Sequence, residues 1–333
     1  MGADEKPIPS IQGFEVKKTC PCRESLQTWK GPGIDPEGEK DKARAKARSE
    51  GGFFDYNQPI KTLNLNTLFA KTKDNPNNAD GYYYVDQNCP TYGSNCTNCD
   101  KVVRIAIIDS GIEHTGLESY VVQPTTPTCY KPNFSTNPIS NGYDDVIAHG
   151  THVAGIIAEE WPDSIRLELI PFKIFGNNDS ADLFDAVCAI YTAIEMQVDV
   201  INLSWGFKYK FTPEVLQEAL FAAARSKIYV VCSSGNHFLG QGGTDNDGIW
   251  HWPSNFSALA HSERYIVATG SYNADLDVYP YTYVYSDFAN YGDHTVDLAA
   301  HGKQINSAFP PDCLLYTSPS PRDQRGSRMP SSA

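Results

Sequence analysis

Three residues of the chain have side chains suited to acid–base and electrostatic chemistry, and each lies within two residues of a glycine. Asp109 opens Asp109-Ser110-Gly111, directly after the apolar run VVRIAII. His149 lies in AHGTHVAGIIA, and Asn236 closes Ser233-Ser234-Gly235-Asn236 after IYVVC. A further glycine-bearing edge, Leu203-Ser204-Trp205-Gly206, follows VDVIN. An imidazole titrates near neutrality and can move a proton, a carboxylate can orient it, and a carboxamide can donate to developing negative charge. Each residue also has a plainer role when taken alone. Asp-Ser-Gly most often caps a turn. His149 and His152 could form a metal pair, but no Glu stands where a zincin motif requires one.

The surrounding segments decide whether these residues can meet. VVRIAIID, from Val102 to Asp109, is a continuous apolar run, as expected of a strand covered on both faces. LELIPFKIF reads as another strand. SADLFDAVCAIYTAIEMQ reads as a helix. Its Phe184, Val187, Cys188, Tyr191 and Ile194 recur at helical spacing, with Ser180 placed as a cap. VDVINLSW is the next strand. TPEVLQEALFAAARSK is the next helix, with Thr212 as N-cap and Pro213 in the first turn. IYVVCSS and YIVATGS are further strands. Strands alternating with helices predict right-handed crossovers and a mostly parallel sheet, an α/β fold. Sites in such folds gather at the carboxyl ends of the strands. An acid, a histidine, two glycine-bearing edges and an amide are thereby predicted on one rim.

Composition narrows the partners. The 333 residues have room for one large domain or two ordinary ones. Hydrophobic residues make up 41% and charged residues 20%, a globular composition. A net charge of −13 argues against a nucleic-acid partner, because a phosphate backbone demands a basic face. No apolar run approaches the ~18 residues of a membrane span, so no membrane partner is expected. The opening MGADEKPIPSIQG has no apolar core, so it is not read as a signal peptide. Lys6 stands where a myristoylation signal needs Ser or Thr. The protein is therefore expected to be intracellular, or its sequence to start downstream of the true beginning.

Nine cysteines bear on that choice. Cys89, Cys96 and Cys99 form one group, and Cys20 and Cys22 another. Disulfides or free thiols are favoured over zinc, because Cys96 and Cys99 form the only C-x-x-C pair. Cys188 and Cys232 fall in apolar runs and read as ordinary core residues. Asn95, Asn133, Asn178 and Asn255 each begin an N-x-S/T sequon, which fits a secreted or extracellular protein. Asn202 begins one too, but within a predicted buried strand. Before residue 100 the sequence is irregular: a Gly- and Pro-broken charged linker over 31–52, then turns around one short strand over 74–87.

The motifs taken together resemble those of the subtilisin-like serine peptidases. IAIIDSGIEHTG is similar to that family's acid motif, and HGTHVAGIIA matches its histidine motif without a gap. INLSWG resembles its substrate-binding strand, and SSGN its oxyanion asparagine. WPSNFSALAHSERYIVATGS and YSDFANYGDHTVDLAAHGKQINSAF resemble two later family segments. The likeness runs from about Lys101 to about Pro310. His301 stands where the family usually has Pro, a change expected to alter a loop and not the mechanism.

The resemblance implies a three-layer α/β fold, with a mostly parallel central sheet and helices on both faces, its C-terminal part missing. It implies roles as well. His149 would be the general base and Asp109 would hold its tautomer. Asn236 would donate to the tetrahedral oxyanion. Gly150 and Gly155 would let the helix after His149 pack closely. Ser204, Trp205 and Gly206 would pair with a polypeptide substrate bound as an extended strand, with Ser233, Ser234 and Gly235 as the opposite wall. The Trp252-Pro253 bond is expected to be cis. No cofactor is required. Calcium is a family habit, and Asp245 and Asp247 in GTDNDG could bind it, although a plain polar turn is the favoured reading there.

The family's nucleophile sits in a Gly-Thr-Ser motif a short way after the segment matched by LAAHGKQINSAF. Here that place holds CLLYTSPSPRDQRGS, where Pro319 and Pro321 would break a helix. The string CLLYTSPSPRD resembles a translated transposon-type sequencing adapter. The division expected is an extension at 1–100, an incomplete peptidase domain at 101–312 and a non-native tail at 313–333. Ser318 and Ser320 lie near the right distance but lack the motif. The chain is therefore expected to be a serine endopeptidase inactive as written. The alternative is a non-catalytic peptide- or partner-binding domain of the same fold.

Overall fold

A computed structural model describes residues 15–30, 59–61, 92, 94–113, 116–135, 144–176, 180–237, 242–259, 265–275, 282–302, 305 and 307–310. The 31–52 linker, the strand at 74–87, Cys89, Asn178 and the tail from Cys313 lie outside the described residues. A hairpin comes first, β1 (Glu15–Cys20) and β2 (Arg23–Lys30), followed by β3 (Pro59–Lys61). Then follow β4 (Val102–Asp109), α1 (His149–Glu159), β5 (Arg166–Lys173), β6 (Ser180–Asp182) and α2 (Leu183–Glu195). Next are β7 (Val200–Leu203), β8 (Phe207–Lys208), α3 (Glu214–Arg225), β9 (Tyr229–Ser233) and β10 (His251–Trp252). The last are α4 (Phe256–Leu259), β11 (Ile266–Asp275), β12 (Thr282–Tyr285) and β13 (Leu298–His301).

The apolar runs assemble into a seven-stranded sheet in the order β12-β11-β9-β7-β4-β5, with β13 also on β11. Every pairing is parallel except β11 with β12. The pleat sends alternate β4 side chains to opposite faces. Ala106 and Ile108 pack with Phe172, Leu203 and Val230 against α2 and α3, through residues such as Val187, Ile190 and Leu220. Ile105 and Ile107 pack with Leu167, Leu169 and the α1 residues Ala154 and Ala158. Helices thus cover both faces, and the fold is the expected three-layer α/β arrangement.

Local boundaries differ from the sequence reading where another pairing competes. Ser180 does not cap α2: Ser180–Asp182 forms β6, paired antiparallel with β3, and the helix begins at Leu183. Pro213 takes the N-cap position of α3, one residue before the first turn. His301 ends strand β13 in register with Tyr272; it is not in a loop. The Trp252-Pro253 bond is cis, as the resemblance implies, and so is Thr126-Pro127.

The stretch read as irregular contains the β1–β2 hairpin, and disulfides hold it to the domain. Cys20 is bonded to Cys188 on α2, and Cys22 to Cys129. The expectation that Cys188 is an ordinary core thiol is thus corrected: it is buried, but it anchors a hairpin from 168 residues away. Cys96 is bonded to Cys99, and Cys232 is a buried free thiol. Lys18 Nζ lies 2.9 Å from Asp185 Oδ1 on α2, and the Arg23 guanidinium lies 4.4 Å from the Tyr191 ring centre. Two of the sequon asparagines are bonded within the fold. Asn95 Nδ2 donates to the carbonyls of Ser119 and Leu167, and Asn255 Nδ2 donates to Asn246 O from a buried position.

Candidate active site

Asp109 is the last residue of β4 and is fully buried. Its Oδ1 accepts the Ser110 backbone N–H at 2.7 Å and lies 2.8 Å from His149 Nδ1. A carboxylate only accepts, so Nδ1 carries the proton and Nε2 keeps its lone pair. His149 is the first residue of α1 and is also buried. Burial alone would lower its pKa, but the Asp109 charge and hydrogen bond, with help from Asp145, outweigh burial and raise it. The pair can therefore take up a proton at Nε2 and hold the resulting cation.

The start of α1 is fixed by residues that the sequence reading did not single out. Asp145 Oδ1 accepts the N–H groups of Ile147 and Ala148, and Oδ2 accepts the Thr151 N–H and hydroxyl. These bonds satisfy donors that a helix N-terminus leaves unpaired. Asp just ahead of a helix was the available signal. Gly150 N–H donates to Ser110 Oγ at 2.9 Å. A Cβ on Gly150 would stand 2.2 Å from Gly111 O, so only glycine lets the helix start this close to the acid. Gly155 plays the same part farther along, where a Cβ would fall 2.6 Å from Ala308 N and from the Tyr92 hydroxyl oxygen.

Lys173, at the end of β5, is the other unforeseen neighbour. It is buried, and its Nζ donates to Ser110 O at 2.6 Å and to Asp144 O at 2.9 Å. Burial pushes its pKa down, while Asp145, Asp144 and Asp109 push it up; burial prevails. A lysine closing an apolar run was the only sequence signal. His152 is not half of a metal pair. Its Nε2 lies 3.2 Å from the Ile305 carbonyl, and burial followed by repulsion from His149 holds its pKa down to about 3.

Parallel pairing from β4 through β7 to β9 puts the ends of all three strands on the same edge of the sheet. Asn236 follows β9 there and is half-buried; among the described residues its side-chain amide makes no hydrogen bond. Ser204 Oγ donates to Asn202 Oδ1, and the Trp205 indole is buried with Nε1 donating to Ile108 O at 2.9 Å. The Trp205 side chain therefore belongs to the core, leaving only its backbone for a ligand. On the other side, Ser234 Oγ donates to Asn290 O, and Ser234 O accepts from both Asn246 and Asn290. Gly235 has φ +86°, a left-handed conformation suited to glycine. The GTDNDG turn is bound internally. Asp247 accepts the backbone N–H of Asp293 and His294 and the Thr295 hydroxyl, which hold its carboxyl below the usual range although burial opposes this.

A protein-family model described as "Subtilase family" matches residues 100–329, past Pro310, where the motif likeness stopped. The intracellular serine protease of Paenibacillus polymyxa is 28% identical over 218 residues, covering 62% of this chain and 59% of that protein. The thermophilic serine proteinase of Bacillus sp. (strain AK1) is 30% identical over 200 residues, covering 54% and 47%. The cell wall-associated protease of Bacillus subtilis is 29% identical over 221 residues, covering 64% and 21%. The chain spans less than two thirds of the length of each. Among solved structures, the epidermin leader peptide processing serine protease of Staphylococcus aureus is 22% identical, with a TM-score of 0.46 over 61% of this chain and 52% of that one. Among the described residues, no helix is long and apolar enough to cross a membrane.

Proposed function

From a chain that belongs to the subtilase family, we propose that Asp109, His149 and Asn236 are the acid, base and oxyanion donor of a serine endopeptidase. The observation that carries the reading is the 2.8 Å contact between His149 Nδ1 and Asp109 Oδ1, which leaves Nε2 with its lone pair. In the reaction, a serine hydroxyl gives its proton to Nε2 as its oxygen attacks the peptide carbonyl. The Asn236 amide donates to the oxyanion, and the imidazolium returns the proton to the leaving amine. Asp109 stabilises the imidazolium. The substrate lies as an extended strand between the backbone of Ser204–Gly206 and that of Ser233–Gly235. The reading requires no cofactor. Its disulfides favour an oxidising, extracellular setting.

The serine is the open element. No Gly-Thr-Ser occurs in the sequence, and we assign no nucleophile within it. A second reading has one observation in its favour: the family match to residue 329 passes over Ser318 and Ser320. A fluorescent phosphonylating reagent separates the two. The 333-residue chain should remain unlabelled. Labelling at Ser318 or Ser320 that His149→Ala removes would establish the second reading. Reading the gene beyond the codon for Asp312 tests the enzyme against a non-catalytic peptide-binding domain: a Gly-Thr-Ser run supports the enzyme and its absence the binder.

A further inference from the structure

We propose that His251 closes the floor of the cleft between Ser204–Gly206 and Ser233–Gly235, so that the cleft accepts only a small side chain, Ala or Ser, before the scissile bond. This inference rests on the peptidase reading, because it treats those two segments as the walls of the primary pocket. No role for His251 was visible in the sequence, where it merely precedes Trp252-Pro253.

Two glycines locate the ring. A Cβ built on Gly206 would stand 2.3 Å from His251 Cε1 and 2.5 Å from Nε2. A Cβ built on Gly235, in the opposite wall, would stand 2.4 Å from Nε2 and 2.6 Å from Cε1. The same two ring atoms meet both walls, so the imidazole edge occupies the gap between them. Any residue with a side chain at either position would displace it. The glycines thus admit the ring, and the ring fills space that a large substrate side chain would need.

The ring is held firmly. His251 is buried, and β10 pairs with β8, setting His251 opposite Lys208. The His251 N–H donates to Asn255 Oδ1 at 3.0 Å. Ser254 Oγ lies 2.9 Å from Nδ1 and donates to the His251 carbonyl at 2.9 Å. With the hydroxyl proton on that carbonyl, Nδ1–H donates to Oγ. Nε2 is left as a neutral acceptor facing the gap, with no hydrogen-bond partner among the described residues. Burial, and then the Lys208 charge, lower its pKa to about 4, which keeps the ring neutral near pH 7. A neutral acceptor at the floor suits a serine hydroxyl, tolerates a methyl group, and leaves no room for an aromatic ring.

Binding tests this without requiring turnover. The 333-residue chain would be titrated with acetyl-Ala-Ala-Ala-X peptides, X being Ala, Ser, Leu or Phe, by calorimetry. The Ala and Ser peptides should bind at least about tenfold more tightly than the Phe peptide, the scale on which pockets discriminate by size. In His251→Gly, the Phe peptide should gain about tenfold relative to the Ala peptide. Equal binding of Ala and Phe peptides by the unaltered chain overturns the proposal with no variant needed. So does a His251→Gly chain that weakens all four peptides alike, since the ring would then be purely structural. Failure of every peptide to bind the unaltered chain defeats the peptide-binding reading itself, and this proposal with it.

Discussion

The Asp109–His149 pair and the N-terminal hairpin are fixed to the same domain by opposite means. The pair lies 40 residues apart in sequence and is held by short hydrogen bonds between neighbouring turns, with glycine wherever a Cβ would intrude. The hairpin comes from 168 and 107 residues away and is held by two disulfides, by Lys18 facing Asp182 and Asp185, and by Lys18 and Arg23 against the Phe184 and Tyr191 rings. Close packing positions atoms to within a fraction of an ångström, as proton transfer requires. Cross-links act largely by restricting the unfolded chain. On the proposed reading, the pair serves chemistry and the hairpin serves stability.

The largest expected effect is therefore at the hairpin. Replacing Cys20 and Cys188 with Ser should lower stability by about 2–4 kcal/mol, in line with the usual cost of losing a bridge that closes a long loop. Urea unfolding, with and without reductant, measures it. An unchanged midpoint would show that the hairpin contributes little to the folded domain.

The rim should respond next. Gly150→Ala places a Cβ 2.2 Å from Gly111 O and 3.2 Å from Asp109 Cβ, at the end of β4 and just after it, where the backbone cannot easily retreat. Overpacking of this kind costs about 1–3 kcal/mol. It should also separate the acid from the base, so the His149 titration should shift while the hairpin amides keep their hydrogen-exchange protection. A loss of protection across both regions would mean that they are not independently fixed.

The same contrast explains what could be read from the sequence. The rim was legible because Asp109 and Asn236 follow apolar runs that read as strands, while the helix at His149 came only from the resemblance to the family. Cys188 was misread because its apolar neighbours fit a core helix, and nothing local names a partner such as Cys20. Ser180 was misread as a cap because its strand partner, Pro59–Lys61, is far away in the sequence. Lys173 and His251 escaped notice for a related reason. Their importance comes from neighbours in loops that the sequence does not place beside them, and a lone charge or ring does not reveal them.

The smallest predicted effects concern pH, and they fall in separate windows. Asp185, under the hairpin, has its pKa raised to about 6 from 3.8 by burial, which outweighs the Lys18 charge and hydrogen bond. A group that binds its proton more tightly when folded adds stability at low pH. For Asp185 this gain is complete below 3.8 and disappears as pH rises through about 6. Asp185→Asn should flatten that slope in thermal unfolding. His149 is also raised, from 6.5, so its contribution is complete below 6.5 and is lost as pH rises through the higher value in the folded state. Proton NMR should find the His149 midpoint above 6.5. In Asp109→Asn only burial and the more distant Asp145 remain, and the midpoint should fall below 6.5. A midpoint that stays high in that variant would mean that Asp145 or another charge stabilises the cation. Asp109 would then orient the ring without supporting its charge.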